Sequence, residues 1–197
     1  MDLFAKEDAL LCANASRAIV AHLQQLNCNA LGMTGADGNV IKAKRRPVKD
    51  IDYGFVGDII ADGINTELLS TLLNQSIVPI FAPLTHADGK MLNTNADTIA
   101  SVLSVGLSKS FDVRLIFCFE KKGVLRDVNN LDSVIHHLPK KLYQDLLPQN
   151  VFADGILPKL ENAFSAIDAG VKEVLIGEAG DLIKNTGTST AGTLITP

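Results

Sequence analysis

Residues 158–177, PKLENAFSAIDAGVKEVLIG, carry one complete helix-to-strand unit and decide the class of fold. Leu160 and Phe164 lie at the spacing that places apolar side chains on one face of a helix. Pro158 suits the first turn of this helix, and Gly170 suits its end. The apolar run VKEVLIG that follows predicts a strand covered on both faces, so a helix and a buried strand adjoin in sequence.

The same alternation extends in both directions along the chain. TGADG predicts a tight turn, with Gly35 and Gly38 available for positive φ, and GTLIT predicts a last strand. Pro79 counts against a central position for its strand, because proline cannot donate to a ladder. The pattern predicts an α/β fold, a three-layer α/β/α sandwich with a mainly parallel central sheet. Besides those already named, the predicted strands are CNALGM, NVIKAKR, YGFVGDI, IVPIFAPL and VRLIFCF, and the predicted helices are AKEDALLCANASRAIVAHLQQL, NTELLSTLLNQ, TIASVLSVGLS and KKLYQDLL.

Composition excludes several classes of function. The chain has 197 residues, 47% of them hydrophobic, and a net charge of −4, so we expect a core of domain size and no nucleic-acid partner. No run approaches the roughly 20 apolar residues of a membrane helix, and the first residues lack the order of a signal peptide, which predicts a cytoplasmic protein without a membrane partner. The cysteines and histidines form no ligand pattern, so we predict no metal site.

Polar residues collect where a predicted strand gives way to a helix, in MLNTNADTIAS at residues 91–101. Asn95 is expected to cap the helix, and Asp97 to lie in its first turn, where a negative charge suits the helix dipole. Capping does not explain Asn93, which precedes the helix and is placed to face a polar ligand. Local capping and a binding site both stay open as interpretations of this stretch.

A second candidate segment, FEKKGVL at residues 119–125, directly follows a predicted buried strand. Ligands of open parallel sheets bind beyond the carboxyl ends of strands, so the segment either receives a ribose and phosphates or is an ordinary solvated strand end. Lys159 falls in the first turn of its helix, where a cation opposes the dipole at a cost of about 0.3–1 kcal/mol. A phosphate bound at the helix start explains this lysine, and so does a side chain that swings into solvent.

Seven segments, taken in order, resemble the N-acetylglutamate kinases of the amino acid kinase family. The resemblance implies that the γ-phosphoryl group of ATP, with Mg²⁺, is transferred to the side-chain carboxylate of an N-acylglutamate in arginine biosynthesis. An acyl phosphate would form without a covalent enzyme intermediate. The segments are GMTGADGNVIKAKRR, DYGFVGDI, NTELL with VPIFAPL, MLNTNADTIAS, FEKKGVL, PKLENAFSAIDAGVKEVLIG and GTLI.

The resemblance also implies roles for individual residues. Asn93 matches the asparagine that binds the acylglutamate, and Asp97 matches the aspartate that organises the catalytic lysines. Lys159 matches the lysine that stabilises the phosphates during transfer, so we expect Lys159 and Asp97 to converge on the terminal phosphate of the nucleotide. The family usually has an aspartate at the position of Glu120. The segment expected to hold the nucleotide consists of Glu120, Lys121, Lys122, Gly123, Val124 and Leu125.

Parts of the family pattern find no match in the sequence. These are a first strand with a lysine before paired glycines, a glycine-rich loop, and an arginine that grips the substrate carboxylate. The resemblance therefore implies the family fold with its first strand and glycine loop missing, an N-terminally truncated form. We expect residues 1–76 to form a partial acylglutamate-binding and dimerisation lobe, and residues 77–197 a nucleotide-binding lobe with one continuous sheet. A homodimer is implied as well.

Alternatives to an active acylglutamate kinase stay open. One is another kinase of the same fold with an acid as acceptor, such as glutamate 5-kinase or an aspartate kinase. Others are a catalytically impaired fragment and a non-catalytic nucleotide-binding subunit. The sequence does not distinguish an acetyl from a succinyl group on the substrate.

Overall fold

The computed structural model describes residues 3–153, 155–187 and 190–197, and for residues 3–13 it describes the backbone alone. The chain forms two compact units, Met1–Ile99 and Ala100–Pro197. This division falls later than the expected boundary after residue 76, and the assignment of a substrate lobe and a nucleotide lobe stays a prediction. The expectation of one continuous sheet in residues 77–197 is wrong, because the strands between residues 78 and 93 pair among themselves and with earlier strands, in sheets separate from that of the later strands.

The first unit is built from two sheets and the helices beside them. In chain order its elements are α1 (Leu3–Gln25), β1 (Ala30–Met33), β2 (Ile41–Arg45), β3 (Gly57–Ile64), α2 (Thr66–Asn74), β4 (Val78–Phe81), β5 (Leu84–Ala87), β6 (Lys90–Asn93) and the start of α3 (Ala96–Leu107). β1 and β4 pair in parallel, and α1 packs against both. The other strands form a mixed sheet in the order β3-β2-β5-β6.

Local sequence signals explain where several of these elements begin and turn. Asn65 Oδ1 accepts a hydrogen bond from Leu68 N at 3.1 Å, so it caps α2 as predicted. Between β5 and β6, Asp88 and Gly89 have positive φ values of 48° and 70°, as a two-residue hairpin turn of type I′ requires. Gly38 has a φ of 57° in the turn that TGADG predicted.

Tertiary pairing corrects two of the predicted strands. IVPIFAPL is not one strand. β4 ends before Ala82 and Pro83, and the chain then enters β5, which belongs to a different sheet. YGFVGDI was expected to start a strand at Tyr53, whereas β3 starts at Gly57 and runs on to Ile64. In both cases the position of the neighbouring strand fixed the boundary, which a run of apolar residues does not report.

Two glycines of the first unit allow close approach of neighbouring groups. A Cβ on Gly35 would lie 2.7 Å from Ile41 O, so this glycine is required for packing and not for the predicted positive φ. A Cβ on Gly57 would lie 2.5 Å from Thr85 Oγ1 and 2.8 Å from Thr94 Oγ1. Neighbouring parts of this sheet and the residue Thr94 that follows β6 therefore approach one another at positions that admit no side chain.

The second unit contains one mixed sheet. After α3 its elements are β7 (Arg114–Phe119), β8 (His137–Pro139), α4 (Lys140–Leu146), α5 (Leu157–Asp168), β9 (Glu173–Glu178), α6 (Leu182–Asn185) and β10 (Thr193–Thr196). The strand order is β7-β9-β10-β8, in which β9 is parallel to β7 and antiparallel to β10. The helix and the strand predicted from residues 158–177 are α5 and β9, and α5 packs against β9 and β10.

The core of the second unit lies between α5 and this sheet. Leu160 and Phe164 on α5 are buried against Val174 and Ile176 of β9, as their spacing predicted. Full burial of one such apolar side chain stabilises the folded state by about 1.5–3 kcal/mol. Gly170, with a φ of 105°, ends the helix in the left-handed conformation predicted for it.

The α/β class predicted from the sequence is confirmed, with parallel pairs in every sheet of the described part of the chain. Both four-stranded sheets also contain antiparallel pairs. Among the helices that the structure describes, none combines the length and the apolar character needed to cross a lipid bilayer.

Candidate nucleotide site

A pocket of about 320 Å³ lies beyond the carboxyl end of β7, entirely within the second unit. This is the end of a parallel strand at which open α/β sheets bind their ligands. Small-molecule pockets in proteins are usually about 300–1,000 Å³ and mainly apolar, with a few polar groups. The lining residues are Phe119, Glu120, Lys121, Gly123, Leu125, Val128, Ala153, Gly155 and Ile156.

Four of the six residues predicted to hold a nucleotide lie on the wall of this pocket. Glu120 is exposed and Lys121 is half-buried, so a carboxylate and an ammonium stand at the solvent side of the wall. Gly123 and Leu125 are buried and supply backbone and apolar surface. The structure thus brings the segment to a pocket of suitable size, and contact with a nucleotide stays a prediction.

The other two residues of the segment make contacts away from the pocket. Lys122 Nζ lies 3.4 Å from a carboxylate oxygen of Asp132, in an exposed ion pair. Val124 is 1% exposed and belongs to the core, and its backbone N–H donates to Thr193 Oγ1 at 2.8 Å. Val124 therefore packs in the core, whereas its neighbour Leu125 lies on the pocket wall.

Lys159 lies in the first turn of α5, where the sequence placed it, and is half-buried. Its Nζ lies 5.4 Å from the centroid of the Phe117 ring and 6.0 Å from that of the Phe119 ring. The face of an aromatic ring attracts an ammonium group by about 0.5–1 kcal/mol at exposed sites and more when water is excluded. The two rings therefore offset part of the unfavourable interaction with the helix dipole, and the ammonium lies beside Phe119, which lines the pocket.

The start of α5 adjoins the same pocket. Ile156 lines the pocket and is the N-cap residue of α5, and it makes no side-chain capping hydrogen bond. The first backbone N–H groups of a helix have no partner within the helix and favour an anion. A cation and the positive end of a helix dipole thus lie close to this pocket, an arrangement that stabilises a phosphate group.

The predicted acylglutamate residue and the predicted lysine-organising residue belong to the first unit. Asn93 ends β6 with an exposed side chain, and its backbone N–H donates to Phe55 O at 2.7 Å. Asp97 is half-buried in the first turn of α3, and Asn95 caps that helix through a 3.0 Å hydrogen bond from Thr98 N, as predicted. Since Lys159 belongs to the second unit, its convergence with Asp97 stays a prediction.

Thr94 anchors the backbone between Asn93 and Asn95. Thr94 is buried, and its Oγ1 lies 2.7 Å from Thr85 Oγ1 and 3.3 Å from Gly57 O. Buried hydroxyl pairs of this kind order the chain, because breaking one removes a hydrogen-bond partner from a buried polar group. The exposed side chain of Asn93 is therefore presented from a fixed backbone.

Sequence reasoning did not predict that residues outside FEKKGVL share one pocket with it. Val128, Ala153, Gly155 and Ile156 complete the wall. Ala153, Gly155 and Ile156 lie in ADGILPKL, the stretch around Lys159 that the sequence also marked as a candidate for ligand binding, whereas Val128 lies in no such stretch. Thr193 behind the wall was predicted as part of a last strand and belongs to the segment GTLI that carries the resemblance, but the sequence assigned it no role of its own. A pattern of residue types carries no signal for positions that reach a pocket through long-range pairing.

An α/β sheet with an anion-favouring pocket beyond a strand end is an arrangement typical of enzymes that handle phosphorylated ligands. The model of the amino acid kinase family matches residues 3–178. The chain belongs to the amino acid kinase family.

Similarity to individual proteins supports this family assignment. The chain is 51% identical over 174 residues to a Parabacteroides distasonis protein named acetylglutamate kinase, covering 88% of this chain and 68% of that protein. It is 52% identical to a Phocaeicola vulgatus protein of the same name, with coverage of 88% and 67%. The crystal structure of smu.665 from Streptococcus mutans UA159 superposes with a TM-score of 0.72 at 29% identity, covering 97% of this chain and 72% of that one. The chain thus spans about two thirds of the length of the curated relatives.

Proposed function

We propose that the chain transfers the γ-phosphoryl group of ATP to the side-chain carboxylate of N-acetyl-L-glutamate, or of another N-acylglutamate. The observation that carries this proposal is the 51% identity to a protein named acetylglutamate kinase over 88% of the chain. The pocket at the end of β7, which lies close to Lys159, supports the nucleotide part of the proposal.

The proposed chemistry asks for positioning and charge stabilisation. In an in-line phosphoryl transfer the carboxylate attacks the γ-phosphorus as the bond to the β-phosphate oxygen breaks, and negative charge spreads over the oxygens of the transferred group. The Lys159 ammonium, held over Phe117 and Phe119 at 5.4 and 6.0 Å, is placed to stabilise that charge. Its two aromatic partners restrict its position before the nucleotide arrives, which lowers the cost of ordering it.

Asn93 would act on the acceptor, and Asp97 would act on the catalytic lysine. An exposed carboxamide on an anchored backbone can donate to a carboxylate or accept from an N-acyl amide, which suits an acylglutamate. Asp97 would orient a lysine by charge and hydrogen bonding. A double-mutant cycle with Asp97→Asn and Lys159→Ala tests that role, since residues that act on one transition state show non-additive losses in kcat/KM.

ATP is expected to arrive with Mg²⁺, which would neutralise charge on the phosphates. No cluster of three or more histidine, cysteine, aspartate or glutamate residues able to hold a metal occurs in the part of the chain that the structure describes. Mg²⁺ usually keeps several waters and binds through substrate phosphates, in agreement with a metal carried by the nucleotide.

A substrate panel tests the proposal. ADP release is measured by a coupled assay with N-acetylglutamate, N-succinylglutamate, glutamate and aspartate as acceptors. We expect turnover with an N-acylglutamate and a kcat/KM at least about 100-fold lower for the free amino acids, because a donor or acceptor built for the acyl amide is then left unpaired. Turnover with free glutamate alone would assign the chain to a different kinase of the family, and ATP binding without turnover on any acceptor would favour a non-catalytic subunit.

The proposal also covers cellular location and oligomeric state. We propose a cytoplasmic homodimer that serves arginine biosynthesis, which follows from the resemblance described above. Light scattering after size exclusion measures the mass, and we expect twice that of the 21.0 kDa chain. A monomer at micromolar concentration would overturn the homodimer and leave the reaction untouched.

A further inference from the structure

A buried hydroxyl stands directly behind the wall of the nucleotide pocket. Thr193, the first residue of β10, is 0% exposed, and its Oγ1 accepts a hydrogen bond from Val124 N at 2.8 Å. Val124 lies between Gly123 and Leu125, which both line the pocket. A side-chain hydrogen bond to the backbone of this wall therefore comes from β10, about 70 residues further along the chain.

A second buried polar side chain holds the start of β10. Asn185 at the end of α6 is 1% exposed, and its Oδ1 accepts from Ala191 N at 2.9 Å and from Gly192 N at 3.3 Å. Arg114 fixes the other end of this connection, with Nη1 donating to Asn185 O at 3.1 Å and to Gly187 O at 2.7 Å. The hydrogen bonds run in series from α6, through the backbone before β10, to the pocket wall.

Close packing leaves these contacts little freedom. A Cβ on Gly123 would lie 2.7 Å from Thr193 Oγ1, and a Cβ on Gly177 would lie 2.5 Å from Asn185 Nδ2. Asn185 Nδ2 is also the buried side-chain atom for which, among the described residues, no hydrogen-bond partner is found. A buried amide N–H group without a hydrogen-bond partner carries a free-energy cost, which the two hydrogen bonds accepted by Asn185 Oδ1 offset.

We propose that Thr193 and Asn185 are positioning residues of the nucleotide pocket, acting as a hydrogen-bond relay that fixes the backbone of Gly123, Val124 and Leu125. The relay touches neither the reacting atoms nor the acceptor. It sets the geometry of the wall against which the nucleotide packs, so it governs ATP affinity and leaves recognition of the acceptor unchanged. This inference rests on the proposed function in that ATP is the ligand of the pocket.

The test compares side-chain variants of the full chain. Thr193→Val removes the hydroxyl, Thr193→Ser keeps it, and Asn185→Ala breaks the relay at its other end. Ser104→Ala is the matched control, because Ser104 is also buried and its hydroxyl donates to Ser101 O at 2.7 Å within α3. The dissociation constant of ATP is measured by calorimetry, the KM values of ATP and acceptor by the coupled assay, and amide exchange at Val124 by NMR.

We expect Thr193→Val and Asn185→Ala to weaken ATP binding about tenfold, to raise the KM of ATP in parallel, and to leave the KM of the acceptor within twofold of wild type. Exchange at the Val124 amide should be faster in Thr193→Val, and Thr193→Ser and Ser104→Ala should bind ATP as the wild type does. Unchanged ATP affinity in Thr193→Val, with a wild type that binds ATP, overturns the relay alone. Absence of ATP binding by the wild type overturns both the relay and the proposed function. Equal losses in both KM values would indicate general damage to the fold and refute a positioning role.

Discussion

Replacing Gly123 by alanine adds a methyl group where the structure has no space for one. An ideal Cβ at this position would lie 2.7 Å from Thr193 Oγ1, 2.9 Å from Val134 Cγ1 and 3.1 Å from Thr193 N. Both neighbouring side chains are β-branched, so neither can turn away without leaving its rotamer. The new methyl group therefore pushes Thr193 and the Val124 amide apart and opens the 2.8 Å hydrogen bond between them.

Two contributions set the loss of folding stability expected for Gly123→Ala. Overpacking of a buried position typically costs about 1–3 kcal/mol. An unpaired buried amide costs a further ~1–3 kcal/mol when its bond is lost completely, and less when the backbone relaxes. A total near 3 kcal/mol would lower Tm by roughly 6–12 °C in a chain of this size. Because the same displacement moves the pocket wall, ATP affinity should fall by about tenfold or more.

Differential scanning calorimetry and isothermal titration with ATP measure these two effects. The control is Gly180→Ala, since a Cβ on Gly180 would meet nothing within 4 Å. We expect the control to change Tm by less than about 2 °C, because surface substitutions usually stay within ~0.5 kcal/mol. A Gly123→Ala protein that melts and binds ATP like the Gly180→Ala protein would refute the reasoning from close approach.

The remaining predictions concern the lysine, the threonine pair and an exposed turn. Lys159→Ala should lower kcat by about 10²–10³-fold in the coupled assay, the usual effect of losing one preorganised charge-stabilising donor. Thr85→Val should lower the free energy of unfolding in urea by about 1–3 kcal/mol, because Thr94 Oγ1 loses its 2.7 Å partner, and Val at both positions should recover part of that loss. The Gly54 backbone N–H donates to the Asp52 carboxylate and lowers the pKa of Asp52 from its ordinary 3.8. The hydrogen bond therefore stabilises the folded turn above pH ~4, and this stabilisation is lost as the pH falls through the lowered pKa. The NMR chemical shift of the Gly54 amide should titrate with a midpoint below 3.8.

Each of these predictions has a control and an opposing result. Lys172→Ala controls for Lys159, since Lys172 is an exposed lysine that pairs with Asp112, and a loss of less than fivefold in Lys159→Ala would exclude the proposed role. An unfolding free energy for Thr85→Val equal to that of the wild type would contradict the buried pair. Asp52→Asn should abolish the titration of Gly54, and a midpoint at or above 3.8 in the wild type would contradict the turn.

The candidate site was predictable from sequence in part. Lys159 in a first helical turn, and a ligand-facing segment after VRLIFCF, both follow from the positions of strand and helix, and the structure places both next to one pocket. The direction of each side chain within the segment was not predictable, and Lys122 and Val124 make their contacts elsewhere. Which side a residue faces depends on the register of the strand beside it, and no local pattern records that register.

The sequence by itself determined the features that depend on a few neighbouring residues. These include the α/β alternation, the caps at Asn65 and Asn95, and the glycine that ends α5, because backbone conformation and capping are decided within one turn of chain. The tertiary structure alone decided how IVPIFAPL divides between two sheets, which glycines are required for close approach, and how Thr193 comes to stand behind the pocket wall. Those features depend on contacts between residues tens of positions apart in sequence. Such contacts form when the strands pair, so a local sequence pattern does not report them.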